Sequence, residues 1–75
     1  MQLDAHDRTS TALTVNGAPT ETQARTLAEL VAGCGFAETQ VATALNGDFV
    51  AKGARAATLL REGDKVEIVA PRQGG

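Results

Sequence analysis

Tryptophan and tyrosine are absent from this chain and phenylalanine occurs only twice, so its apolar content leans on Ala, Val and Leu. One cysteine excludes an internal disulfide and any four-cysteine zinc or iron–sulfur site. The single histidine, His6, stands in a polar stretch with no partner group placed beside it, which leaves it without a catalytic or ligand role. No apolar run approaches the ~20 residues of a membrane span, and no apolar signal segment opens the chain. There is no excess of positive charge: the net charge is −2 with both signs interspersed, which argues against a nucleic-acid surface. At 75 residues the chain forms one small domain at most. That leaves no room for an enclosed active site and favours a binding module, a carrier or a subunit. No metal site is expected, and a soluble, cytoplasmic monomer is the default.

What is present is organised around the stretch from Gly63 to Gly75. Gly63-Asp64 reads as a turn, and Lys65-Val66-Glu67-Ile68-Val69 as a strand with Val66 and Ile68 on one face. Pro71 has no N–H for a ladder, so the strand should stop near Ala70. Arg72-Gln73-Gly74-Gly75 has nothing to bury, which predicts a mobile tail. A slender tail ending in Gly-Gly offers a free α-carboxyl on Gly75 that can be threaded into a narrow site, adenylated, and attacked at an unhindered carbonyl. The plainer explanation, a frayed end, gives way only if the preceding domain is built to present that strand.

Met1 to Ser10 is polar and aperiodic and reads as a disordered leader, with the domain over residues 11–71 and the tail over 72–75. Thr11 to Val15 alternates, Asn16-Gly17 is a strong hairpin signal, and Thr20 to Gln23 reads as the returning edge strand. Thr26-Leu27-Ala28-Glu29 is a capping box opening a helix with Leu27, Leu30, Val31 and Cys34 on one apolar stripe. Gly35 is a natural stop, Phe36 can fold back on the last turn, and Cys34 is expected inside as a small hydrophobe. Val41 to Leu45 is a further strand with either alternating set facing inward. Asn46-Gly47 turns it into Asp48-Phe49-Val50-Ala51. Lys52 to Thr58 reads as a bent connection with a helical turn, anchored by Leu59 or Leu60. Lys52, Arg55 and Arg61 are read as scattered surface charge in preference to a basic patch.

One amphipathic helix must cover one face of the sheet. With the first and last strands side by side in the middle, the chain is an α+β β-grasp domain, a mixed sheet of four or five strands packed on one helix.

At this level of detail Leu13-Thr14-Val15-Asn16-Gly17, the Thr26-Leu27-Ala28-Glu29-Leu30 helix start, Ala44-Leu45-Asn46-Gly47-Asp48-Phe49-Val50, Gly63-Asp64-Lys65-Val66-Glu67-Ile68-Val69 and Gly74-Gly75 together resemble the ThiS family. These are ubiquitin-like sulfur carrier proteins of thiamine biosynthesis. The resemblance runs from Ala12 to Gly75, and the order and spacing of the motifs carry it rather than any one of them. It implies that an adenylyltransferase related to ubiquitin-activating enzymes uses ATP and Mg²⁺ to adenylate Gly75. The carrier itself binds no cofactor. Sulfur from cysteine, delivered by a cysteine desulfurase relay, then leaves a thiocarboxylate that donates to a thiazole synthase. Gly74, Gln73 and Arg72 would thread into the partner, and Phe49 and Val69 are possible partner-facing residues. The leader is longer than the family leads one to expect, and Pro71-Arg72 stiffens and charges the tail.

The small subunit of molybdopterin synthase, or a carrier for another sulfur-containing metabolite, shares the same fold and tail. A β-grasp interaction module with an inert tail, or a ubiquitin-like conjugating tag, represents the other classes.

Overall fold

Two short turns set the arrangement. Asn16-Gly17 and Asn46-Gly47 both take up left-handed backbone, with φ of 53° and 85° in the first pair and 52° and 90° in the second. A two-residue hairpin needs that twist, and Asn followed by Gly adopts it with little strain. The computed structural model describes residues 10–36 and 40–70. In it, the first turn joins β1 (Thr11–Val15) to β2 (Ala18–Thr22), and the second joins β3 (Ala42–Leu45) to β4 (Asp48–Val50). Between the hairpins lies α1 (Leu27–Gly33); a 3₁₀ helix (Lys52–Ala57) and β5 (Lys65–Val69) follow. The expected leader, apart from Ser10, and the expected tail, with Pro71, lie outside the described residues.

β5 enters between the two hairpins, giving the order β2-β1-β5-β3-β4. It runs parallel to β1 and antiparallel to β3. A parallel pair needs a long crossover, and the chain supplies it with α1, whose apolar side closes over one sheet face. The result is the β-grasp arrangement, a mixed five-stranded sheet on one α-helix among the described residues. β2 begins two residues earlier than the sequence pattern suggests, because the tight turn already places Ala18 opposite Val15. Pro19 sits in that edge strand, where its missing N–H interrupts no inner ladder.

The helix starts where the capping residues put it. The Thr26 hydroxyl accepts from the Glu29 N–H at 3.2 Å. The Glu29 carboxylate accepts from the Arg25 N–H at 2.7 Å, one residue further back than a regular capping box. Leu27, Leu30 and Val31 are buried. The end differs from expectation at Cys34, which is exposed rather than inside. Helical geometry stops at Gly33, so the seventh position after Leu27 falls on the cap and turns away from the sheet. Gly35, at φ 87°, unwinds the chain. The Gly35 N–H donates to the Ala32 carbonyl at 3.1 Å and the Phe36 N–H to the Val31 carbonyl at 3.4 Å, a Schellman closure.

The core is Leu13, Leu27, Leu30, Val31, Val41, Val66 and Ile68. β5 follows strict alternation, with Val66 and Ile68 inward and Lys65, Glu67 and Val69 outward. Along β3 the inward set is Thr43 and Leu45, with Val41 just before the strand, because Thr43 is buried while Ala42 is exposed. Thr43 is tolerated there because its hydroxyl donates to the Val50 carbonyl at 2.9 Å. Arg55 overturns the surface-charge expectation, being only 2% exposed. From the 3₁₀ helix it donates through Nε to the Thr43 hydroxyl at 3.0 Å and through Nη2 to the Val41 carbonyl at 2.7 Å. Leu60 is the inward anchor of the following loop, while Leu59 is exposed. No helix among the described residues is long and apolar enough to cross a membrane.

Candidate functional site

The structure describes the strand that leads toward the chain end. β5 is the central strand; its last residue, Val69, and the following Ala70 are exposed, Ala70 being the last described residue. Gly75, Gly74, Gln73 and Arg72 lie outside the described residues.

β5 is held along both edges. On one side β3 pairs with it from Leu45↔Val66 to Ala42↔Val69. On the other, β1 pairs through Thr14↔Lys65 and Val15↔Val66, and the Asn16 N–H donates to the Val66 carbonyl at 2.8 Å. The turn asparagines add side-chain bonds. Asn16 Nδ2 donates to the Ile68 carbonyl at 3.1 Å and its Oδ1 accepts from the Ile68 N–H at 2.8 Å. At the opposite end Asn46 Oδ1 accepts from the Lys65 N–H at 2.9 Å and Nδ2 donates to the Asp64 carboxylate at 3.0 Å.

The sheet face away from α1 carries the other predicted residues. Phe49 is 73% exposed and Val69 is 61% exposed. The register puts Phe49 opposite Ala44, and Val69 opposite Ala42, on either side of β3. Since residues two apart in a strand share a face, Phe49, Ala44, Ala42 and Val69 form one small apolar surface reaching the exit of β5. Glu67, opposite Ala44, borders it with charge. The sequence alone left these two residues between core and surface, and the pairing register brings them together on the outside.

Among the described residues no group of three His, Cys, Asp or Glu side chains converges. Cys34 is exposed at the end of α1. A surface depression lined by Thr11, Ala24, Arg25, Leu59, Leu60 and Arg61 lies by the beginning of β1. What the described residues present is therefore a small exposed apolar face beside the last residues of the central strand.

The ThiS family model matches residues 4–75, nearly the whole chain. The chain belongs to the ThiS family. The fold agrees: it superposes on the crystal structure of the thiamine biosynthesis protein ThiS from Geobacter metallireducens with a TM-score of 0.71. That protein is 33% identical, and the match covers 87% of this chain and 100% of the other. No curated protein sequence matches this ThiS-family chain significantly.

Proposed function

We propose that this chain is a sulfur carrier of thiamine biosynthesis whose terminal Gly75 carboxylate is adenylated and then converted to a thiocarboxylate that donates sulfur for thiazole formation. The observation that carries the reading is the family match running through residue 75, over the Gly74-Gly75 end. It is supported by a fold that makes the strand leading toward that end the central one of the sheet.

The chemistry follows from the residues. A carboxylate is a poor electrophile until one oxygen becomes part of a good leaving group. Attack of the Gly75 carboxylate on the α-phosphate of ATP releases pyrophosphate and gives such an acyl-adenylate. A sulfur nucleophile derived from cysteine then displaces AMP. Glycine at the last two positions puts no side chain in the way of either step. The thiocarboxylate is ionised and soft, and so a good nucleophile at neutral pH. Catalysis belongs to the partners: an adenylyltransferase related to ubiquitin-activating enzymes, which binds ATP and Mg²⁺, a cysteine desulfurase relay, and a thiazole synthase. The carrier supplies position, holding its end in the partner's site at high effective concentration. Phe49, Val69, Ala42 and Ala44 form the face that docks, while Gly74, Gln73 and Arg72 thread inward. On this reading the protein works as a cytoplasmic monomer.

The test is intact mass after incubation with ATP, cysteine, a desulfurase and the adenylyltransferase. Exchange of one oxygen for one sulfur supports the carrier. Adducts on lysine would indicate a conjugating tag, and an unchanged mass an inert module. Deleting Gly75 should abolish the change in mass and leave thermal melting where it was.

A further inference from the structure

We propose that Asn16 is a positioning residue for the C-terminal end, its side chain completing the edge of β5 at Ile68 and so fixing where the chain leaves the sheet. The proposal rests on the carrier reading above. β1 ends at Val15, and at Asn16 the backbone turns away into the hairpin. The last backbone bond from that side is the one from the Asn16 N–H to the Val66 carbonyl. The next two polar groups on the same edge of β5, the N–H and C=O of Ile68, would face the space where a continued β1 should be. Ile68 is 4% exposed, so water is a poor substitute. The Asn16 amide fills the gap with both kinds of group, accepting from the Ile68 N–H at 2.8 Å and donating to the Ile68 carbonyl at 3.1 Å. A short side chain that carries a donor and an acceptor and tolerates φ of 53° is needed there, and Asn meets all three requirements.

Asn46 makes the comparison informative. The same dipeptide, Asn46-Gly47, grips the opposite end of β5 by the N–H of Lys65 and the Asp64 carboxylate. One turn asparagine therefore secures the start of the strand and the other secures its exit. Without Asn16, Ile68 and Val69 keep, among the described residues, only their pairing with β3. Each residue released there adds to the chain that must be ordered when a partner binds, worth roughly tenfold in affinity. Val69, part of the apolar docking face, is in that segment.

The experiment compares the full-length wild type with Asn16→Gly and Asn46→Gly, since glycine keeps the left-handed backbone and removes only the side-chain bonds. Amide hydrogen exchange is read at Ile68 and Val66, and pyrophosphate release by the adenylyltransferase is measured against carrier concentration. Asn16→Gly is expected to speed exchange at Ile68 on the order of tenfold relative to Val66. It should also raise KM about tenfold, with kcat within about twofold. Asn46→Gly should lose comparable thermal stability and keep the wild-type KM. Equal KM values for the two variants, or unchanged exchange at Ile68, would overturn the proposal. If the wild type releases no pyrophosphate, the carrier reading fails instead, and exchange at Ile68 still judges the clasp. Asn16→Asp, which keeps the turn and the bond from the Ile68 N–H, serves in the same comparison if Asn16→Gly does not fold.

Discussion

Truncating Arg55 to alanine should come close to unfolding this domain. The guanidinium is 2% exposed and donates to the Thr43 hydroxyl at 3.0 Å and to the Val41 carbonyl at 2.7 Å. Thr43 passes the connection on to the Val50 carbonyl at 2.9 Å, so one side chain ties the 3₁₀ helix to both strands of the β3–β4 hairpin. Hydrogen bonds from a charged donor contribute about 1.5–3 kcal/mol each. Removing both, leaving the Val41 carbonyl without this donor and opening a void, should cost roughly 3–5 kcal/mol. A domain of this size holds only about 3–5 kcal/mol in total.

Two milder substitutions separate the contributions. Arg55→Met keeps the bulk but leaves the Val41 carbonyl without this donor, at a cost of about 1–3 kcal/mol. Arg55→Lys keeps the charge but replaces a planar fork with a point donor, and should lose a similar amount. Each kcal/mol corresponds to a fall of roughly 4–8 °C in Tm for a domain this small. With no Trp or Tyr in the chain, far-UV circular dichroism in urea is the appropriate probe. The expected order of midpoints is wild type first, Lys and Met together, Ala last. An alanine variant within about 0.5 kcal/mol of wild type would refute the reasoning, since that is the range of ordinary surface substitutions.

Thr26→Ala removes the cap at the start of α1 and should cost about 1 kcal/mol, read in the same urea melts. Phe49→Ser should leave the urea midpoint within about 0.5 kcal/mol, the side chain being mostly exposed, while raising KM for adenylation. Cys34 should react with a thiol reagent in the native state as fast as in urea, to within the screening by neighbouring atoms, and Cys34→Ser should melt like the wild type. Protection of Cys34 in the native state would mean that the end of α1 packs differently.

The turns made most of this fold legible. Asn16-Gly17, Asn46-Gly47 and Gly63-Asp64 announce themselves because few residues accept their backbone, and the strands between them follow by alternation. Arg55 was not legible for the opposite reason. A lone cation in a segment rich in Gly and Ala has no periodicity to place it, and its burial depends on a carbonyl and a hydroxyl that only β3 brings near. Cys34 misled because an apolar spacing of seven assumes a helix longer than α1 is. Alternation in β5 already puts Val69 on the face of Lys65 and Glu67, but its meeting with Phe49 depends on the register of both strands with β3, and no local signal carries that. The role of the asparagine side chains in holding β5 likewise needed the partner strand in place.

The central place of β5 bears on how the molecule is made. Thr14 meets Lys65, and Val15 meets Val66, across most of the chain's length. Until the ribosome has released residues 65–69, one hairpin and the other share no common edge, and α1 has only part of a surface to lie on. Pairing between such distant segments comes late in folding. A copy broken off before that strand lacks the edge that joins the two hairpins, and should be cut by proteases faster than the whole chain.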